Sequence, residues 1–146
     1  MLKLILVRGL PGTGKNTLIR DFGLSAIAAD DYFMVDGKYV FDPAQLADAH
    51  QDCQRRCKES LDAEQEFVVV ANTFSQRWEM EPYLQMGKAA GARVHVIDLF
   101  DGGLSDQQLF ESNTHGVALE TIQAMRARWD HGGRAATLIA AWRRWA

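Results

Sequence analysis

The chain has 146 residues, of which 47% are hydrophobic and 24% charged, and its formal net charge is −3. This composition is typical of one globular domain with a buried core. The small negative charge excludes the global positive field of a protein that passively coats nucleic acid. Two cysteines give no disulfide framework, and no apolar run approaches the roughly 18 residues that span a bilayer. We therefore expect a cytoplasmic protein without a membrane segment.

Three apolar runs without polar alternation predict strands that are covered on both faces. They lie at residues 4–7, 67–71 and 94–99, and a weaker strand is predicted at residues 25–29. Continuous apolar strands of this kind occur in parallel sheets with helices on both sides. The sequence thus predicts a single α/β domain over residues 1–146.

Helical patterns separate the predicted strands. One helix begins inside a glycine-rich loop, a second opens at Asp42-Pro43, and a third covers about residues 75–91. Further helices are expected over about residues 116–146, including a short terminal one near residues 138–142. The second helix has a predicted buried stripe at intervals of three and four, formed by Leu46, Ala49, His50, Cys53, Cys57 and Leu61.

A hairpin is predicted between residues 33 and 41. Asp36-Gly37 stands between short apolar pairs, and this dipeptide favours a two-residue turn with positive φ. The hairpin should project from the sheet just after the acidic pair Asp30-Asp31.

A phosphate-binding loop follows the first strand directly and opens the first helix. Its pattern is G-x-x-x-x-G-K, in which glycines allow inward-facing peptide N–H groups and the lysine reaches the phosphates. A glycine-rich turn with a chance lysine is the alternative, but the flanking strand and helix favour the phosphate loop. The predicted nucleotide-binding residues are Gly9, Pro11, Gly12, Thr13, Gly14, Lys15, Asn16 and Thr17.

The residue after the lysine breaks the usual pattern of such loops. A serine or threonine there normally places its hydroxyl on Mg²⁺, whereas this chain has Asn16, and Thr17 comes one position too late. The asparagine side chain is longer than that of serine or threonine, so its oxygen is poorly placed for the octahedral coordination of Mg²⁺. Either water and the acidic pair hold the metal, with Asn16 and Asp30 as candidate ligands, or this form is impaired.

The acidic pair Asp30-Asp31 should lie at the carboxyl edge of the sheet, beside the phosphate loop. Phosphoryl transfer to a hydroxyl requires a carboxylate there to accept the proton. We favour Asp30 as this base and Asp31 as a structural, metal-associated or substrate-contacting residue. A helix cap or a turn is the alternative role for the pair.

Polar residues also follow the third strand. Asn72 and Thr73 leave it at the same edge, where they would contact nucleotide or acceptor, or merely cap the next turn. Arg77 follows closely and is a candidate contact for an acceptor phosphate, with a solvated helix face as the alternative.

Taken together, these motifs resemble those of the polynucleotide-kinase-like P-loop kinases. That family includes the kinase domains of phage polynucleotide kinase and the zeta-toxin-like AAA proteins of phages and bacteria. The resemblance covers nearly the whole chain to about Asp130 and rests on the phosphate loop and on the segments at residues 29–33, 72–73, 78–83 and 113–117.

The resemblance implies a P-loop NTPase of the adenylate-kinase-like, three-layer αβα type with a mostly parallel sheet. It also implies ATP and Mg²⁺ as cofactors, and transfer of the γ-phosphoryl group to a nucleic-acid hydroxyl, commonly the 5′ one. Asp30 matches the family's general base. Some phage relatives instead phosphorylate the hydroxymethyl group of a modified pyrimidine in DNA.

Two further departures from the family pattern concern catalysis. Ala71 stands where many relatives carry an acidic residue, and Ser112 stands where they often carry a lid arginine. An arginine on the transferring phosphoryl group is worth about 10³-fold or more in rate. Arg126 or Arg128 would have to replace it, with residues 101–115 closing as the lid.

Two rival functions therefore remain open. One is a kinase of a small metabolite, and the other is a nucleotide-binding switch or pseudokinase without turnover. The oligomeric state is not indicated by the sequence.

Overall fold

The computed structural model describes residues 2–131, and the predicted terminal helix near residues 138–142 lies outside them. The strands are β1 (Lys3–Arg8), β2 (Ala26–Ile27), β3 (Met34–Val35), β4 (Lys38–Tyr39), β5 (Phe67–Asn72) and β6 (Arg93–Asp98). The α-helices are α1 (Lys15–Asp21), α2 (Leu46–Asp62), α3 (Arg77–Ala89), α4 (Asp106–Ser112) and α5 (Leu119–Ala127). Short 3-10 turns occupy Ala29–Phe33 and Pro43–Gln45.

The main sheet has the strand order β2-β5-β1-β6, and every pair in it is parallel. Arg8 at the end of β1 lies opposite Asn72 of β5 and Asp98 of β6. Three strands therefore end at the same level, and the segments that follow them meet at one edge. This confirms the predicted α/β class with its parallel sheet and flanking helices.

The central strand β1 contributes to a core on each face of the sheet. Leu4 and Leu6 pack in the cluster that includes α2 and α3, whereas Val7 packs with Ile19 of α1 and with Val69. This two-sided burial explains the unbroken apolar runs of the sequence. Within residues 2–131, no helix combines the length and the apolar character needed to cross a bilayer.

The buried stripe of α2 begins one turn later than the sequence indicated. Ala49, Cys53, Cys57 and Leu61 are buried, but Leu46 is 45% exposed and His50 is only partly buried. The prediction was wrong for these two residues. Intervals of three and four show which residues share a helix face, but not where along the helix the opposing layer begins.

The predicted hairpin forms as the two-stranded ribbon β3-β4. Met34 pairs with Tyr39 and Val35 with Lys38. Asp36 and Gly37 have φ values of 50° and 79°, as a tight turn of this kind requires. The ribbon carries the chain from the 3-10 turn of Ala29–Phe33 toward α2.

A separate small core supports the segment that was predicted as a lid. Leu109 of α4 and Ile122 of α5 pack with Leu10, Phe100 and Trp129. Leu10 belongs to the loop after β1, so this cluster joins the lid segment to the glycine-rich loop. The helix α4 inside the lid segment was not predicted, since the sequence around it is polar and rich in glycine.

Arg8 is buried at the point where the chain segments after β1, β5 and β6 meet. Its guanidinium donates to Asp98 Oδ2 at 3.0 Å, twice to the carbonyl of Phe74 at 2.7 and 3.0 Å, and to the carbonyl of Asp130 at 3.0 Å. It also lies 4.2 Å from the ring centroid of Trp129. Because a buried charge must be paired and hydrogen-bonded, these contacts fix the segments relative to one another.

The burial of this ion pair leads to a stability prediction. Arg8→Leu should lower the free energy of unfolding by about 3–5 kcal/mol, because the Asp98 carboxylate loses its cation in the interior. Arg55→Leu is the matched control, since the Arg55 side chain is 58% exposed while pairing with Asp52 and Glu59. It should lower the free energy of unfolding far less, because an exposed ion pair contributes little to stability. Urea unfolding measures both, and equal losses would contradict the role of Arg8.

Candidate active site

The glycine-rich loop connects β1 to α1 and is held at the sheet edge by backbone hydrogen bonds. The N–H of Gly9 donates to the carbonyl of Thr73 at 3.2 Å, and that of Leu10 donates to the carbonyl of Phe100 at 2.8 Å. The loop is therefore tied to the chain after β5 and to the chain after β6. Its residues precede α1 and continue into its first turn, so the predicted nucleotide-binding residues form one continuous segment.

Gly12 occupies a position that no other residue could fill without strain. Its φ is 88°, in the region that favours glycine, and a Cβ there would collide with the backbone carbonyl of Leu109. The lid helix α4 thus lies directly against the loop. Gly14 has a φ of 92° and caps the N-terminus of α1.

Lys15 lies in a partly buried position with its ammonium turned into the loop. Its Nζ donates to the carbonyl of Gly9 at 2.8 Å and to that of Leu10 at 3.3 Å. Burial lowers the pKa of Lys15 to about 8, and the negative charge of Asp30 acts in the opposite direction. The ammonium is thus incompletely solvated, which favours exchange of its carbonyl partners for the oxygens of an anion.

Thr13 has a buried hydroxyl that also fits an anionic ligand. Its Oγ1 has no hydrogen-bond partner among the residues that the structure describes. A buried polar atom without a hydrogen-bond partner costs about 1–3 kcal/mol, and a phosphate oxygen would accept a hydrogen bond from this hydroxyl. The glycine backbone, the Lys15 ammonium and this hydroxyl together fit the phosphates of a nucleotide.

The residues available to a divalent cation are few. Asn16 and Thr17 are exposed in the first turn of α1, and the Asp30 side chain is 51% exposed. Within residues 2–131, no group of three or more His, Cys, Asp or Glu residues could hold a metal ion. This sparse set fits Mg²⁺, which retains several waters and takes one or two protein oxygens together with phosphate oxygens.

The two carboxylates of the acidic pair have different surroundings. Asp31 Oδ2 accepts from the N–H of Ala28 at 3.0 Å and from Arg56 at 3.1 Å, so Asp31 caps the 3-10 turn and anchors it to α2. Asp30 has no arginine partner among the described residues. Its Oδ1 accepts from the Tyr39 hydroxyl at 3.0 Å, and its Oδ2 lies 3.7 Å from His115 Nε2.

Tyr39 and His115 were not predicted as part of the site. Tyr39 lies on the hairpin and His115 at the end of the lid segment, and their ring centroids are 4.2 Å apart. The only sequence signal was indirect: His115 precedes a glycine within a family-like motif, and the hairpin follows the acidic pair. Neither signal identifies Asp30 as their common neighbour.

The polar residues Asn72, at the end of β5, and Thr73, directly after it, support the site rather than open into it. Asn72 Oδ1 accepts from the N–H of Ala29 at 2.9 Å, and its Nδ2 donates to Cys53 Sγ at 3.6 Å. Thr73 contributes its carbonyl to the loop, as described above. Arg77 is exposed at the start of α3, where its backbone N–H donates to Asp130 Oδ2 at 3.3 Å.

Arg126 was predicted as a replacement for the lid arginine, but among the described residues its hydrogen bonds are all to the lid segment. Its guanidinium donates to Asp106 Oδ1 and Asp101 Oδ2, each at 2.7 Å, and to the carbonyl of Leu104 at 2.9 Å. It also lies 5.4 Å from the ring centroid of Phe100. These contacts anchor the lid segment to α5.

Comparison with known proteins identifies the family. The chain matches the AAA_33 family model, described as an AAA domain, over residues 4–130. A curated relative, NEDD4-binding protein 2 of Homo sapiens, is 34% identical over 130 residues, which are 85% of this chain but only 7% of that protein. This chain therefore spans a small part of the length of that relative.

Solved structures share the fold at low sequence identity. A chain in the Pnkp1/Rnl/Hen1 RNA repair complex has a TM-score of 0.67 and 15% identity, with 96% of this chain and 46% of that chain covered. A gluconokinase from Sinorhizobium meliloti 1021 has a TM-score of 0.56 and 17% identity, with 90% of this chain and 77% of that chain covered. The chain belongs to the AAA_33 family, and its fold is that of the adenylate-kinase-like P-loop kinases.

Proposed function

We propose that the protein is an ATP-dependent kinase that transfers the γ-phosphoryl group to a hydroxyl of a nucleic acid, with the 5′-hydroxyl of DNA or RNA as the favoured acceptor. The observation that carries this proposal is the exposed Asp30 carboxylate, whose 3-10 turn is bonded to Asn72 while the loop before Lys15 is bonded to Thr73, so that both lie at the end of β5. A cation for phosphates and a base for a hydroxyl are thus neighbours at one sheet edge.

The glycine-rich loop would bind the triphosphate of ATP. Peptide N–H groups of residues 12–17 and the Thr13 hydroxyl donate to phosphate oxygens, and Lys15 exchanges its loop carbonyls for the β- and γ-phosphates. Asn16 and Asp30 would hold Mg²⁺ with the help of water. When bound, this ion supplies charge neutralisation at the phosphates.

Asp30 accepts the proton of the acceptor hydroxyl. The hydroxyl oxygen then forms a bond to the γ-phosphorus, while the bond from that phosphorus to the β,γ-bridging oxygen breaks and ADP leaves. The lid segment packs on the loop through Leu109 and excludes water, which limits wasteful hydrolysis of ATP.

The surroundings of Asp30 support a nucleic-acid acceptor over a sugar. Tyr32, Met34 and Phe41 are 38%, 46% and 49% exposed on or beside the hairpin that carries Tyr39. Exposed aromatic and apolar side chains near Asp30 offer a stacking surface for a nucleobase, as in proteins that bind single-stranded nucleic acid. The fold likeness to a chain of an RNA repair complex is in accord with this acceptor.

A second candidate is a nucleotide-binding switch without turnover. It is favoured by the contacts of Arg126 within the lid, and by Ser112, whose hydroxyl donates to the carbonyl of Gln108. Position 112 of the lid helix thus has no arginine, and the Arg126 guanidinium of α5 is engaged by the lid segment. Phosphorylation of a small metabolite, or of a hydroxymethyl group on a DNA pyrimidine, differs from the main proposal only in the acceptor.

A panel of acceptors with γ-labelled ATP tests the proposal. DNA and RNA oligonucleotides with a free 5′-hydroxyl, hydroxymethylated DNA and gluconate are each incubated with the protein. We expect label on the 5′-hydroxyl oligonucleotides. Label on gluconate alone would assign a small-molecule kinase, and no label on any acceptor would favour the switch.

Asp30→Asn should lower the rate of transfer by about 10²- to 10⁴-fold, because the general base is lost. ATP affinity, measured by calorimetry, should stay nearly unchanged. Asp36→Asn at the hairpin turn removes an equal charge nearby and should leave the rate intact. Equal losses of ATP affinity and of transfer in Asp30→Asn would contradict its role as the base.

Lys15→Met should weaken ATP binding by about 10- to 100-fold, the effect of a charge-assisted hydrogen bond of about 1.5–3 kcal/mol. Wild-type affinity should also fall by about tenfold from pH 7 to pH 9. The free protein loses the Lys15 proton near pH 8 and must recover it on binding. In Lys15→Met this part of the pH dependence should vanish, and a slope that persists would assign it to another group.

Asn16→Ser restores a short hydroxyl at the position that usually contacts Mg²⁺. The Mg²⁺ concentration for half-maximal transfer should fall by about tenfold, equivalent to about 1.4 kcal/mol. Asp21→Ser at the far end of α1 is the control and should have no effect. An unchanged Mg²⁺ requirement in Asn16→Ser would show that position 16 does not limit metal binding.

A further inference from the structure

The Asp30 carboxylate is approached by two side chains from different parts of the chain. Tyr39 donates its hydroxyl to Oδ1 at 3.0 Å, and His115 Nε2 lies 3.7 Å from Oδ2. Each carboxylate oxygen therefore has its own neighbour. One neighbour comes from the hairpin and the other from the end of the lid segment.

Tyr39 is held in place by neighbouring aromatic side chains. The buried ring of Phe33 packs edge-on against it at a centroid distance of 6.1 Å, and Phe41 stacks beside it at 6.3 Å. These contacts fix the ring where its hydroxyl donates to Asp30 Oδ1.

His115 lies against the Tyr39 ring at a centroid distance of 4.2 Å. Its Nδ1 is buried and has no hydrogen-bond partner among the described residues, which costs about 1–3 kcal/mol. A histidine with only a packing role would be expected to satisfy this nitrogen. The ring is instead placed so that its other nitrogen, Nε2, is the one near Asp30.

The backbone around His115 is held by its own local contacts. Asn113 Oδ1 accepts from the N–H of Val117 at 2.8 Å, and its Nδ2 donates to the carbonyls of Phe110 and Val117 at 2.9 and 3.2 Å. The position of His115 is therefore set by the lid segment rather than by Asp30. A shift of the lid would move His115 with it.

We propose that Tyr39 and His115 are positioning residues, which orient the Asp30 carboxylate toward the acceptor hydroxyl and make this orientation depend on closure of the lid segment. This inference rests on the proposed kinase function. The proposed tautomer carries the proton on Nε2, the ring nitrogen that lies 3.7 Å from Asp30 Oδ2. Because α4 of the same lid segment packs on Gly12, lid closure orders the phosphate side and the acceptor side of the site together.

Single variants test the inference with a 5′-hydroxyl oligonucleotide as acceptor. Tyr39→Phe and His115→Leu should each lower kcat by about 10- to 100-fold, a fraction of the full general-base effect. The KM for ATP should change by less than about twofold, because no phosphate contact is lost. His115→Gln, which keeps an N–H donor, should recover much of the loss. His95→Leu, at an exposed histidine of β6, is the matched control and should behave like wild type.

A double variant separates positioning from a structural role. In the Asp30→Asn background, His115→Leu should cause little further loss of transfer, because the residue acts through Asp30. A full additional loss there, or a rise in the KM for ATP equal to the fall in kcat, would overturn the inference. Failure of His115→Gln to recover any activity while it melts at the wild-type temperature would do the same.

A measurement without turnover keeps this inference distinct from the proposed function. If the wild-type protein labels no oligonucleotide, the proposed function fails, and the positioning inference is then judged by ¹⁵N spectra of the histidine rings. We expect the Nε2–H tautomer for His115, with ring signals that shift in both Tyr39→Phe and Asp30→Asn. The opposite tautomer, or signals that do not respond to these changes, would overturn the inference.

Discussion

The buried guanidinium of Arg8 is the interaction on which the rest of the structure depends. A charge enclosed in the interior is tolerated only when it is paired and fully hydrogen-bonded. Arg8 meets this condition by binding Asp98 and the carbonyls of Phe74 and Asp130, while Trp129 covers its face. Because these partners lie at the end of β6, after β5 and after α5, one side chain sets the geometry of the sheet edge. The glycine-rich loop begins at the next residue, so its position is set by the same contacts.

At this edge the fold places the Lys15 ammonium and the Asp30 carboxylate. Burial lowers the pKa of Lys15 to about 8 while the charge of Asp30 raises it, so the two groups sense each other without a direct ion pair in the structure. A phosphoryl group passing between them would satisfy both. The net charge of −3 does not oppose this, because binding of phosphates depends on local donors rather than on the overall field.

The lid segment joins the phosphate side of the site to the acceptor side. Its helix α4 packs on Gly12, its base is tied to α5 through Arg126, and its end places His115 beside Asp30. The contacts of Arg126 show that this arginine anchors the lid segment, a structural role that its position in the sequence did not suggest. Residues 101–115 contain no arginine of their own, so in the proposed function the transferring group would be stabilised by Lys15, the loop N–H groups and Mg²⁺.

The sequence by itself determined the elements that depend on local chemistry. The glycine loop with Lys15 follows from the spacing of its residues, the strands from unbroken apolar runs, and the hairpin from Asp36-Gly37 with its demand for positive φ. Only the tertiary structure decided that Arg8 is buried, that Leu46 is exposed, and that Tyr39 and His115 meet at Asp30. These facts depend on strand order and on how crossovers bring distant segments to one edge, and local periodicity carries no information about either.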